Sequence, residues 1–273
     1  MRAARRIVAL AQVNQDTNIE RNFTKIADMA AEAASRGAHM LCLPENCNFF
    51  GPGVFTAAQS IPGPYISQYQ QLAKTHGLWI SVGGFQETAE NLPKKYHNSH
   101  VLISSQGEVK AVYRKLHLFD VSISDTSKYS ESSAVEPGSA IIPPIATPIG
   151  QVGLSICYDV RFPELYRRLS LLGAEVLLVP AAFLDRTGAA HWEPLLRARA
   201  IENQCYVVAA AQEGRHSATR TSYGHSCVID PWGVVLAQAS EGERVLYADI
   251  DLEYLKEVRA KLPSLQHRRS DLP

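Results

Sequence analysis

The sequence predicts an α+β fold of four layers, an αββα sandwich in which two sheets pack face to face with helices outside, built on an internal pseudo-twofold repeat. Three observations carry this expectation. The chain alternates strands and helices and then runs through further strands, and a second round of the same order begins near residue 152. A shift of 126 lays Trp79–Glu87 (WISVGGFQE) over Cys205–Glu213 (CYVVAAAQE), and the same shift lays Ile103–Gly107 over Ile229–Gly233. Apolar strands resemble one another, so chance competes with duplication, but one register kept across two strands and a turn favours duplication. Each half alone is a sheet with helices on one face, and it needs a second layer to bury the other face. Residues 1–273 are therefore expected to form a single domain, long enough to bury about three-quarters of the unfolded surface.

The elements follow in order. Ile7–Val13 is short, apolar and β-branched, and reads as a buried strand. Thr17 and Glu20 form a capping-box pattern ahead of Ile19, Phe23, Ile26, Ala27, Ala30 and Ala34 at helical spacing, and Gly37 stops that helix. His39–Leu43 is a second strand, and Pro64–His76 is a helix with proline at its start and Gly77 past its end. Leu78–Gln86 and Asn98–Ile103 read as strands, and Glu108–Tyr113 folds back across the turn at Ser105–Gly107. Residues 116–150 are polar and contain Gly138, Pro143 and Pro144, so one long, functional loop is expected there. The second round has a strand at Val152–Ile156, a helix at Pro163–Leu172, a strand at Glu175–Val179 and a helix at His191–Asn203. Three or four strands follow between Cys205 and Asp249, and a last helix spans Leu252–Leu262.

Composition excludes several function classes. The 27 basic residues balance the 27 acidic ones, so the basic footprint of a nucleic-acid binder is missing. No apolar run reaches the ~18 residues of a membrane span. The 5 cysteines include no CxxC and no paired Cys/His spacing, which argues against a disulfide framework and a metal site. The start Met1–Arg6 leaves no room for a targeting peptide before the strand at Ile7. A cytoplasmic location is expected, or a mitochondrial one if a longer precursor exists.

Three residues break apolar patterns where chemistry is possible. Cys157 stands between a buried strand and a helix start in GLSICYDVRFP, where unpaired N–H groups and the helix dipole favour thiolate and could hold an oxyanion. A plain core cysteine is the competing reading. Glu45 directly follows the strand His39–Leu43, at the carboxyl edge where ligands gather in α/β sheets. A capping or solvent-facing glutamate competes there, although Glu45 and Cys157 follow strands in the two halves and so can converge. Lys115 follows a strand and is flanked by Leu116, Leu118 and Phe119, which suggests that the segment turns inward. A semi-buried lysine needs a carboxylate, and Glu45 is a candidate.

The segments around Leu43-Pro44-Glu45, Arg114-Lys115-Leu116-His117-Leu118-Phe119-Asp120 and Gly153–Leu165 resemble the three motifs of the nitrilase superfamily of carbon–nitrogen hydrolases, in the same order and at similar long spacings. The resemblance covers nearly the whole chain, and residues 191–202 and 266–269 are most similar to the Nit branch, related to the Nit half of NitFhit fusions. It implies the αββα sandwich independently. It also implies roles: Cys157 as nucleophile, Glu45 as general base, Lys115 as the cation beside the tetrahedral intermediate, and the Tyr158 backbone N–H as its partner donor. A second glutamate of the family matches Glu131, with Glu136 the weaker candidate beside a Pro-Gly turn. Such a site needs no metal and no organic cofactor. A thiolate attacks an amide carbonyl, the oxyanion meets a cation and an N–H, and the acid form of the base returns a proton to the leaving amine.

The branch implies an amidase acting in metabolite repair on deaminated glutathione, with 2-oxoglutarate and cysteinylglycine as products. Arg161 could hold a substrate carboxylate in bidentate fashion, against a structural ion pair as the alternative. Other readings are an ω-amidase on 2-oxoglutaramate, a nitrilase or carbamoylase, a non-catalytic binding or scaffold protein, and, weakly, a Cys/His protease. His117 and His225 read as satisfied core or loop histidines. The family also implies a homodimer or homotetramer, for which Leu165, Tyr166 and Leu169 offer a contact face. Neither a nucleic acid nor a membrane is expected as a partner.

Overall fold

The computed structural model describes residues 6–90, 92, 94–124, 127–269 and 271. Met1–Arg5, and Asp125 and Thr126 of the predicted long loop, lie outside the described residues, as does most of the tail after Arg269. The first half runs β1 (Ile7–Gln12), α1 (Ile19–Ser35), β2 (Met40–Cys42), α2 (Pro64–His76), β3 (Trp79–Thr88), β4 (Tyr96–Ile103) and β5 (Val109–Arg114). A hairpin, β6 (Asp120–Ser124) and β7 (Ser127–Ser130), connects it to β8 (Ile145–Thr147) and β9 (Gly150–Leu154). Then come α3 (Pro163–Leu171), β10 (Val176–Leu178), α4 (Asp185–Asn203) and β11 (Tyr206–Ala209). The chain ends with β12 (Glu213–Arg215), β13 (Thr221–Tyr223), β14 (Cys227–Ile229), β15 (Val235–Gln238), β16 (Arg244–Asp249) and α5 (Leu252–Lys261).

Two six-stranded sheets result, ordered β16-β1-β2-β3-β4-β5 and β15-β14-β11-β10-β9-β8. Each has a parallel centre, β1-β2-β3 or β9-β10-β11, followed by two antiparallel strands. The layering follows from alternation along the strands. Val8 and Leu10 of β1 join one buried cluster with Val152, Leu154, Val176 and Leu178 of the opposite sheet. Ala9, Ala11 and Val13 face the other way, into a cluster with Ile26, Ala30, Ile66 and Tyr69 of α1 and α2. The helices α3 and α4 cover the second sheet, where Leu169, Trp192 and Leu196 are buried. This is the αββα sandwich.

The repeat is real in topology and uneven in register. Ile103 pairs with Val109 and Leu102 with Ala111, while Ile229 pairs with Val235 and Val228 with Ala237, so the two hairpins correspond at the shift of 126 with the same irregularity. The preceding strand does not keep that shift. Ile103 pairs with Ile80, but Ile229 pairs with Val207 and not with Tyr206. Strands buried on both faces are uniformly apolar and carry no alternation to mark register.

Other expectations need correction. The α1 cap is Asn18, whose Oδ1 accepts from Arg21 N–H at 3.0 Å, and not Thr17. The loop over 116–150 contains β6, β7, β8 and a single turn at Glu131–Ser133, pieces of 3 to 5 residues too short for a periodicity to stand out. Helix α4 starts at Asp185, ahead of the expected His191, and runs through Pro194. Its first turns are hidden in the sequence by Gly188, where a Cβ would lie 2.3 Å from Tyr223 Cβ, so the glycine serves a close approach. The face offered for self-association is in the core: Leu165 is 2% exposed, and Tyr166 and Leu169 are 0%. The larger exposed apolar side chains include Ile201 of α4 and Trp232, Val234 and Leu236 of the β14–β15 hairpin.

One buried group between the sheets makes stability depend on pH. The fully buried His100 ring joins Ser81 Oγ (2.7 Å) to Ser155 O (2.9 Å), so its Nδ1–H donates to the carbonyl and neutral imidazole suffices. Burial pushes His100 down to about 4. Between that value and the ordinary histidine range the unfolded chain binds a proton that the folded protein refuses, so stability falls as pH drops. The loss should approach roughly 3 kcal/mol for this residue. Urea unfolding at pH 7.5 and 4.5 should show it, with a smaller difference in His100→Gln. An equal difference in that variant would remove His100 as the cause.

Candidate active site

Each site residue leaves its strand at a point the backbone prepares. Glu45 follows β2 through Pro44 and is 4% exposed. The strand beside it, β3, bulges at Gly83–Gly84, where the pairing with β4 shifts. A Cβ on Gly83 would lie 2.6 Å from Leu43 O, and one on Gly84 (φ 61°) would lie 2.7 Å from Glu45 Cγ. The two glycines make room for the Glu45 turn.

Lys115 leaves β5 with its N–H on Asn98 O (2.9 Å) and turns inward, as the apolar neighbours suggested. It is 2% exposed. Its Nζ lies 3.0 Å from Glu45 Oε1 and 2.9 and 3.0 Å from the two oxygens of Glu131. Asn98 Nδ2 donates to both carboxylates, at 2.9 Å to Glu45 and 3.1 Å to Glu131. Ala182 N–H holds the other oxygen of Glu45 at 2.9 Å, and Phe119 N–H holds Glu131 at 2.7 Å. Glu136 is elsewhere, paired with Lys95 at 2.8 Å.

Cys157 follows β9 with φ at 46°, a region costly for a residue with a side chain. A single turn, Cys157–Arg161, separates it from α3. The turn is held by Asp159, 0% exposed, which accepts from Ile156 N–H (2.9 Å), Tyr113 Oη–H (2.7 Å) and both His117 N–H (3.1 Å) and Nδ1–H (2.7 Å). Asp159 thereby ties the Cys157 turn to the segment after Lys115. The Glu45 carboxylate and the Cys157 thiol are near enough for each to shift the other's ionisation.

The charges settle where the protons rest. Burial opposes charge on Lys115, but Glu131 and then Glu45 outweigh it and hold the ammonium well above its ordinary range. Burial raises Glu45, yet Lys115, the Cys157 thiol and Asn98 together bring it below the ordinary carboxylate value. Burial and the Glu45 carboxylate push the Cys157 thiol well up, against the pull of Lys115. The resting site is therefore thiol, carboxylate and ammonium, and not the preformed thiolate that a helix start suggested. The expected donors are largely engaged: Cys157 N–H bonds Pro180 O at 2.8 Å and Asp159 N–H bonds Ile156 O at 3.0 Å. Among the described residues no backbone carbonyl accepts from Tyr158 N–H.

Glu45, Asn98, Lys115, Glu131 and Cys157 line one cavity of about 270 Å³, together with Tyr96, Phe119, Tyr129, Tyr158, Phe183 and Arg220. Arg161 is not in its wall. Its guanidinium lies over Tyr158 and Phe183, 5.8 and 5.2 Å from the ring centroids, and Nη1 is 3.4 Å from His191 Nδ1. His117 stacks on Phe162, and His225 bonds Tyr223 O at 2.7 Å, so both are satisfied away from the thiol. Among the described residues no group of His, Cys, Asp and Glu is arranged to hold a metal ion. Sequence reasoning missed Asn98, Asp159 and Arg220. Asn98 alone had a signal, a polar inward position in the strand Tyr96–Ile103.

The arrangement can pass a proton from thiol to carboxylate while a fixed ammonium faces the same space. A family model described as carbon–nitrogen hydrolase matches residues 7–260. Deaminated glutathione amidase of Mus musculus is 49% identical over 97% of this chain and 84% of its own length. The same name belongs to a Yersinia enterocolitica protein, 41% identical over 96% of this chain and 92% of its own. Among solved structures, the C. elegans NitFhit protein superposes with a TM-score of 0.93 at 44% identity, over 100% of this chain and 67% of that one.

Proposed function

The chain belongs to the carbon–nitrogen hydrolase family, and from that premise we propose that it is the amidase that cleaves deaminated glutathione into 2-oxoglutarate and cysteinylglycine. It is a hydrolase of carbon–nitrogen bonds other than peptide bonds. The observation that carries the catalytic reading is the group Cys157, Glu45, Lys115 and Glu131, the first three buried and all four lining one cavity, with Lys115 bonded to both carboxylates.

In this reading Cys157 Sγ attacks the amide carbonyl as Glu45 takes its proton, so charge separates only when substrate is present. The oxyanion forms between Lys115 Nζ and Tyr158 N–H. Protonated Glu45 then delivers its proton to the amide nitrogen, which leaves as the free amine of cysteinylglycine. A thioester of 2-oxoglutarate remains on Cys157. Glu45 next deprotonates water, whose attack releases the acid and restores the thiol. Glu131 keeps Lys115 protonated and oriented through both turns of the cycle.

Rapid quenching with deaminated glutathione, followed by intact mass measurement, should show a 2-oxoglutaryl adduct that maps to Cys157. Parallel assays with 2-oxoglutaramate, simple nitriles and N-carbamoyl compounds should give lower kcat/KM. Preference for a nitrile, or turnover with the adduct on another residue, would sink the assignment.

A further inference from the structure

Among the described residues, Arg220 stands in the cavity wall without an ion-pair partner. Arg220 lies at the turn of the β12–β13 hairpin, which is pinned by His216 to Gln15 O (2.9 Å) and Ser222 Oγ (3.0 Å) and by Tyr223 N–H to Phe183 O (2.9 Å). Its guanidinium carbon sits 5.5 Å from the centre of the Phe50 ring and 5.6 Å from that of Tyr129. Nη2 donates to Ala182 O at 2.5 Å, while Nε is buried and has no hydrogen-bond partner among the described residues. The two carboxylates of the cavity, Glu45 and Glu131, both engage Lys115.

Arg220 also borders a second cavity of about 300 Å³, walled by Phe49, Phe50, Pro52 and Val54. The two hollows share Asn46, Tyr96 and Arg220, so they meet at the guanidinium. Nε is sealed from the hollows, so what a ligand meets is the rest of the guanidinium, whose charge is not neutralised by an ion pair among the described residues. The planar fork fits a carboxylate, and the flanking rings keep it oriented and dry.

We propose that Arg220 is the receptor for a carboxylate of the substrate and sets the preference for acidic over neutral amides. The inference rests on the amidase reading and adds the residue that selects within it. That carboxylate can come from the acyl part or from the leaving dipeptide, since Arg220 faces both hollows. Arg161, with its guanidinium over Tyr158 and Phe183, lies outside the wall that either would touch.

The test compares kcat/KM in the wild type, Arg220→Gln and Arg220→Lys for three amides. These are 2-oxoglutaramate (acyl carboxylate only), N-butanoyl-cysteinylglycine (leaving-group carboxylate only) and butanamide (neither). In Arg220→Gln one of the two acidic amides should lose on the order of 100-fold relative to butanamide, mainly through KM, the size of a charge-assisted contact. Arg220→Lys should fall in between. Whichever ratio collapses names the source. If both ratios stay within about threefold of wild type, Arg220 merely props Ala182 and Glu45, and the proposal is overturned. A binding measurement separates this from failure of the amidase reading. Calorimetric titration of Cys157→Ala protein with glutarate and with N-butanoyl-cysteinylglycine should lose affinity for one of them when Arg220→Gln is added. That readout needs no turnover, and unchanged affinity for both would overturn the proposal on its own.

Discussion

Glu45→Gln lowers kcat on deaminated glutathione by about 10²- to 10⁴-fold, the contribution of a positioned general acid–base group. The expectation comes from the resting protonation, because Cys157 is a thiol that needs a base and Glu45 is the ionised group beside it. The amide cannot take over. Oε1 accepts from Lys115 and Asn98, and Oε2 accepts from Ala182 N–H, so an NH₂ in either place faces a donor. The variant should therefore also lose about 1–3 kcal/mol of stability.

A second readout separates loss of the base from general damage. The Glu45 charge raises the thiol while Lys115 lowers it. Removing the former makes thiolate easier to form, so alkylation of Cys157 by iodoacetamide near neutral pH should fall far less than turnover does. What the variant lacks is the proton for the leaving amine and the activation of water. Alkylation and turnover falling by the same factor would mean that Glu45 only holds the site together.

How much of this was visible in the sequence depends on where each residue's role is decided. Glu45, Lys115 and Cys157 each interrupt an apolar strand end, and that break is local. Glu131 has no such mark: it lies in a polar stretch, and only its spacing from Lys115 within a recognised family pattern picked it out. Asp159 and Arg220 depend on distant chain segments meeting. Asp159 matters because Tyr113 and His117 reach it, and Arg220 because its hairpin folds back over Ala182. Arg161 shows the converse, since closeness in sequence to the nucleophile did not bring its charge into the cavity wall. The face at Leu165, Tyr166 and Leu169 failed as a contact surface for a related reason. An apolar stripe on an outer helix of a sandwich first serves to bury the sheet beneath it.

Lys115→Met costs about 3–5 kcal/mol of stability near pH 7.5, because it leaves two carboxylates together without their counter-ion in a buried place. The residue is 2% exposed, so water does little to replace the ammonium. The sign of the pH dependence then tests the cause. In the wild type Glu45 is held below its ordinary value, and its contribution to stability is lost only as pH falls through that depressed range. Without Lys115, burial and the neighbouring carboxylate push the same group up, so the folded variant binds a proton more tightly than the unfolded chain does. The variant should thus recover stability relative to wild type as pH drops from 7.5 towards 5, as Glu45 takes up the proton. Urea midpoints at several pH values read this directly. A stability gap that stays constant with pH would show that methionine only packs badly and that Lys115 does not balance the two glutamates. Activity should fall at least 100-fold at every pH, because the oxyanion loses its cation. It should not recover with stability, because the proton that rescues the fold occupies the base that turnover requires.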